Sequence, residues 1–98
     1  MIALPEDWKT VRLTIRGRVQ GVSYRYWTVT EAMTRGLNGW VRNRADGSVE
    51  ALVSGPIRDV DYMIEACRQG PRAARVTAVE IAIEDGAVTG GFAQLPTV

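Results

Sequence analysis

The sequence predicts an α+β domain with its elements in the order βαββαβ, and three observations carry that prediction. Apolar and polar residues alternate over 11–16, 49–53 and 77–83, the period of strands with one buried face. Two intervening stretches repeat apolar residues at helical spacing. Between the second and third strand candidates stands Asp46-Gly47, a strong hairpin signal.

Taken in order, residues 1–9 read as a loose N-terminal arm. Val11, Leu13 and Ile15 then alternate with Arg12, Thr14 and Arg16, a strand that stops at Gly17. The loop Gly17-Arg18-Val19-Gln20-Gly21 leads into a helix over Val22–Arg35, with Tyr26, Val29 and Met33 as its expected apolar stripe. Gly36 fits the left-handed stop after it. Trp40–Asn43 forms a second strand, 44–47 a turn, and Ser48–Val53 a third strand with Val49, Ala51 and Val53 on one face. Gly55-Pro56 opens a second helix whose stripe is Ile57, Val60, Ile64 and Cys67, and Gly70-Pro71 ends it. Thr77, Val79, Ile81 and Ile83 give a fourth strand. A short fifth segment, Phe92–Leu95, is cut off by Pro96 and confined to a sheet edge. The result is a split-βαβ, ferredoxin-like sandwich: an antiparallel sheet, two helices on one face, and a short extra edge strand. That arrangement serves enzymes, RNA binders and metal carriers alike, so function must come from the site.

The 98 residues read as one domain, 1–98, large enough to bury roughly 60% of its unfolded surface. Charged residues (23%) and apolar residues (46%) stand near the averages of soluble proteins, and no run reaches the ~20 apolar residues of a membrane span. The start of the chain lacks the pattern of a secretory signal, so a cytoplasmic location is expected. A net charge of +1 argues against nucleic acid as a partner. Eleven of the twelve basic residues are Arg. Biased codon usage explains that, and so does bidentate binding of planar anions by one or two of them.

There is no histidine, and Cys67 is the one cysteine. An internal disulfide, a multi-Cys zinc site and every Ser–His or Cys–His nucleophile pair are thereby excluded, and no metal or cofactor is expected. Cys67 falls on the apolar stripe of the second helix and reads as packing. Chemistry is left to Arg, Asn, carboxylates, hydroxyls and backbone amides.

The loop between the first strand and first helix, Gly17–Arg25, is the place for it. A glycine-bearing turn entering a helix leaves several N–H groups unpaired at the positive end of the helix dipole, a nest for a tetrahedral anion. Arg25 sits in the first helical turn, where positive charge is unfavourable unless an anion offsets it. Read by itself, the loop is equally an ordinary βα turn with a surface Arg.

Beyond the loop itself, Ile15–Arg25 closely resembles the first signature of the acylphosphatase family, and Gly39–Asn43 with Gly47, Val49 and Gly55 resembles its second. The resemblance covers nearly the whole chain. It implies a metal-independent enzyme that hydrolyses the carboxyl–phosphate anhydride of small acyl phosphates. It also implies a phosphate cradle from the amides of Gln20, Gly21, Val22, Ser23, Tyr24 and Arg25. Arg25 becomes the phosphate-binding arginine and Asn43 the amide that orients the attacking water. Inorganic phosphate is expected as a competitive ligand, and the chain as a monomer. Tyr24 departs from the family, which usually has Phe or Met there, and its hydroxyl needs a partner if buried. The C-terminal 92–96 matches loosely. The leaving carboxylate needs no proton, which accords with the absence of His. Arg42 and Arg44 are expected to alternate away from Asn43, and Trp8, Trp27 and Trp40 to pack in the core or against the arm.

Two readings from other classes stand beside it. A non-catalytic anion-binding or regulatory module could keep the cradle, although Arg25 and Asn43 are both intact. An RNA binder of this fold needs exposed aromatics on central strands, where this chain has Arg12, Thr14 and Arg16.

Overall fold

The computed structural model describes residues 7–98, in the order β1 (Trp8–Arg18), α1 (Tyr24–Thr34), β2 (Asn38–Asn43), β3 (Val49–Pro56), α2 (Ile57–Gln69), β4 (Arg75–Glu84) and β5 (Phe92–Gln94). The strands form one sheet in the order β4-β1-β3-β2-β5. All neighbours are antiparallel except β2 and β5, which run parallel. This is the expected ferredoxin-like sandwich, with the extra edge strand in place.

Alternation along β1 sorts the two faces of the sheet. Val11, Leu13 and Ile15 are fully buried and stand opposite Val53, Ala51 and Val49 of β3. Onto this face pack Val60, Met63, Ile64 and Cys67 of α2 and Tyr24, Thr28 and Ala32 of α1. Cys67 is core, as its place on the stripe predicts; Met63 joins that stripe and Ile57 is only half-buried.

The other face is polar but not loosely solvated. Glu50 of β3 is 4% exposed, covered by Arg12, Arg42 and Arg44. Trp40 lies here too, with the guanidinium groups of Arg12 and Arg42 over its ring at 5.7 and 4.6 Å. It is therefore neither core nor arm packing: its register opposite Leu52 puts it on the open face. Arg42 and Arg44 turn away from Asn43, as alternation requires.

Four elements differ from the sequence reading. Helix α1 starts at Tyr24 rather than Val22, and its buried face is Tyr24, Thr28 and Ala32; Tyr26 and Met33 are 72% and 64% exposed. Thr28 can be buried because its hydroxyl donates to Tyr24 O at 2.8 Å, so a polar residue occupies the core stripe. The helix closes with Gly36 N–H on Met33 O and Leu37 N–H on Ala32 O, the paired bonds of a Schellman cap. On β4, an edge strand, Ile81 and Ile83 share the face of Leu13 and Val11 but remain 45% and 70% exposed. β5 ends at Gln94, yet pairing continues past it: Leu95 N–H donates to Val41 O and, beyond Pro96, Val98 N–H donates to Asn43 O. Of the expected arm, residues 1–6 lie outside the described residues, while Trp8 and Lys9 belong to β1 opposite Pro56 and Gly55.

Candidate active site

β1 runs on through a register shift at Arg16/Gly17 and releases the chain after Arg18. The chain then makes a short turn in which Gly21 has φ +73° and Ser23 φ +64°. Gly21 adopts this conformation at no steric cost. Ser23 does not: it is the one described non-glycine residue with positive φ, and it makes no side-chain capping bond. Strain held at such a point marks a geometry that the surroundings enforce. Left-handed residues flank Val22 on both sides, a backbone curl of the kind found in anion-binding nests. The two residues consumed by this curl explain why α1 starts later than the apolar spacing suggests.

The first intrahelical bond of α1 runs from Trp27 N–H to Ser23 O at 3.0 Å. Among the described residues, no amide from Gln20 to Arg25 donates to a protein acceptor. Four of these residues, Gly21, Ser23, Tyr24 and Arg25, line a depression of about 160 Å³ together with Val19, Tyr26, Asn43 and Gln94. Arg25 and Asn43 thus meet at one place. The register explains the meeting: Asn43 pairs with Val49 at the end of β2, so its side chain shares the helix-side face with Val41. The start of α1 stands over that end of the sheet. Among the described residues, Arg25 forms no ion pair and the Asn43 carboxamide no hydrogen bond, leaving both free for a ligand.

The other cradle residues divide. Gly21, Ser23 and Tyr24 line the depression. Val22 packs against the core. Gln20 sends its side chain away from the opening, where Nε2 donates to Arg44 O at 2.7 Å and Ser48 O at 2.9 Å. Tyr24 finds the partner its hydroxyl needs: it donates to Cys67 O at 2.6 Å. That carbonyl lacks a helical donor, because the residue four on is Pro71, which has no N–H. Burial, together with the adjacent Cys67, raises the Tyr24 phenol far above its ordinary range. Burial likewise pushes the Cys67 thiol up to about 12, which leaves it inert.

Sequence reasoning did not single out Val19, Tyr26 or Gln94 for this depression. Gln94 arrives through the parallel pairing of β5, opposite Val41, and nothing local in the chain announces that. Tyr26 carried a signal misread as core periodicity. A larger groove of about 360 Å³ lies elsewhere, between α1 and α2, lined by Trp27, Glu31, Tyr62 and Glu65. Its carboxylates repel phosphate, so size does not decide the site here.

The α+β sandwich thus brings a loop whose amides lack protein acceptors, an Arg and an Asn to one opening. Comparison with known proteins carries the assignment further. The Acylphosphatase family model matches residues 11–93. A relative from Rhizorhabdus wittichii, named Acylphosphatase, is 52% identical over 87 residues, covering 89% of this chain and 88% of its own. The solved acylphosphatase of Coxiella burnetii superimposes with a TM-score of 0.88 at 27% identity, over 92% of this chain and 95% of that one. That of Bacillus subtilis gives 0.81 at 36% identity, over 88% and 97%. The chain belongs to the acylphosphatase family of enzymes. No helix among the described residues is long and apolar enough to cross a membrane.

Proposed function

We propose that this chain hydrolyses small acyl phosphates to a carboxylate and inorganic phosphate, acting as a single cytoplasmic domain and a monomer, without metal or nucleic acid. The observation that carries the proposal is the convergence of the loop amides, Arg25 and Asn43 on one depression. The amides from Gln20 to Arg25 hold the phosphoryl oxygens, and Arg25 covers them with its guanidinium. Phosphoryl transfer asks mainly for positioning and for charge on the equatorial oxygens, which these donors provide. Asn43 is no base near neutral pH, so its carboxamide orients a water in line with the scissile bond. The water oxygen forms the new P–O bond. The bond from phosphorus to the acyl oxygen breaks, and its electron pair leaves with the carboxylate. The water's protons pass to phosphate and solvent, so no general acid is needed. The acyl group extends across Tyr26 and Gln94, the remaining polar lining of the depression.

Release of phosphate from acetyl or benzoyl phosphate, measured with EDTA present, tests this directly. Turnover that persists in EDTA, with a phosphate monoester hydrolysed far more slowly, supports the mechanism. Turnover that vanishes with EDTA and returns with a divalent metal refutes it. Phosphate bound at the loop without any turnover points instead to an anion-binding module.

A further inference from the structure

We propose that the Gln20 side chain is a positioning residue, which sets the place of Asn43 by clamping the β2–β3 hairpin onto the cradle loop. The inference rests on the hydrolytic reading above. Its ground is a pair of bonds that the cradle does not require. Nε2 of Gln20 lies 2.7 Å from Arg44 O and 2.9 Å from Ser48 O. Two carbonyl oxygens can be met only by the NH₂ group, so the orientation of this carboxamide is fixed by its partners.

The position of those carbonyls gives the clamp its consequence. Arg44 follows Asn43 directly, and Ser48 precedes Val49, the residue opposite Asn43. Arg44 N–H donates to Ser48 O at 2.9 Å, and Gly47 N–H to Arg44 O at 3.1 Å, so the two carbonyls belong to one tight turn. Gln20 therefore grips both strands one residue beyond Asn43. Its own main chain belongs to the loop that presents the anion donors. One side chain thus fixes the water-orienting group relative to the phosphate-holding group, a distance that no strand pairing sets. Misplacement by about 1 Å can cost up to about 100-fold in rate.

The test is a double-mutant cycle read in kcat and in the inhibition constant of inorganic phosphate. Gln20→Met keeps the length and removes both donors. It should lower kcat roughly 10- to 100-fold while phosphate inhibition changes less than about 2-fold, because the amides that hold phosphate are untouched. In an Asn43→Ala background the same change should cost less than about 2-fold, since its effect runs through Asn43. Equal losses in both backgrounds, or a loss of phosphate affinity matching the loss of kcat, overturn the clamp. Gln20→Glu supplies a second readout should the Met variant unfold. The introduced carboxyl faces two carbonyls and, only when protonated, can donate to one of them, so it restores part of the clamp at low pH. Its kcat should rise toward the unaltered value as pH falls through the carboxyl's titration, a dependence absent from the unaltered protein. A parallel pH profile for the two overturns the inference. Absent acyl phosphate turnover in the unaltered protein removes the hydrolytic reading and the inference together; additive losses with turnover intact remove the inference alone.

Discussion

Replacing Tyr24 by Phe deletes one oxygen and leaves the ring in place, 5.4 Å from Trp27 and over Gly70. The deleted hydroxyl is the donor to Cys67 O, a carbonyl that Pro71 cannot serve. Tyr24 is 1% exposed, so water does not replace the lost bond. A buried acceptor left unpaired costs about 1–3 kcal/mol. For a domain of this size each kcal/mol lowers the midpoint by about 4–8 °C, which places the expected fall between about 4 and 24 °C at pH 7.5. A second arm uses the raised phenol. A group whose folded pKa exceeds its unfolded value contributes stability below the unfolded value, about 10 for Tyr, and loses it as pH rises. Above pH ~10 the unaltered protein should therefore lose up to about 1.4 kcal/mol per pH unit from this one proton, and Tyr24→Phe should not. Cys67 acts with the same sign in both proteins, so the difference between their slopes reports Tyr24 together with its coupling to Cys67. Denaturant unfolding at pH 7.5 and across pH 9–11 measures both arms. Equal midpoints at pH 7.5, or equal alkaline slopes, refute the reasoning.

The proposed catalytic pair, Arg25 and Asn43, should separate kinetically. Arg25→Ala is expected to lose at least ~10²–10³-fold in rate together with phosphate affinity, whereas Asn43→Ala loses most turnover and keeps phosphate inhibition, as steady-state kinetics will show. Gly39, at φ +135°, would bring a Cβ to 1.8 Å from Leu52 O. Gly39→Ala must displace β2 and should cost more than about 2 kcal/mol in unfolding experiments, with turnover falling as Asn43 shifts. Burial pushes the Glu50 carboxyl up, but hydrogen bonds from Arg42 and Arg12 outweigh it and leave the pKa below the ordinary value. A lowered pKa stabilises above the unfolded value and is lost as pH falls through the folded one. Glu50→Gln should be less stable than the unaltered protein at pH 7, with the gap closing below pH ~4, measurable by acid-dependent thermal melts.

The parts of this fold legible in the sequence are those governed by local rules. The alternation of 11–16 set the faces of β1, Asp46-Gly47 set a hairpin, and the glycine loop before a helix marked the cradle. Tertiary context decided the rest. Thr28 reached the core because Tyr24 O accepts its hydroxyl, which no hydrophobic pattern reveals. Ile81 and Ile83 obey the strand period and are still exposed, since alternation specifies a face but not whether a helix covers it. Arg25 and Asn43 were identified through the resemblance of two separate signatures; their meeting depends on strand register. The Gln20 clamp and the place of Gln94 rest on pairings between distant segments, and no window of the chain contains them.

The sheet order has a kinetic consequence. β1 comes first in the chain, yet its outer neighbour is β4, with Thr10 opposite Glu84. Closing so long a stretch is entropically costly before the contacts reward it, which slows folding. The cradle loop shares this delay, because Tyr24 is anchored on Cys67 and Gln20 on Arg44 and Ser48. On a ribosome, β1 waits for its outer partner until nearly all of the chain has emerged. Recovery of activity during refolding therefore follows assembly of the whole sheet, and an early helix α1 alone confers none of it.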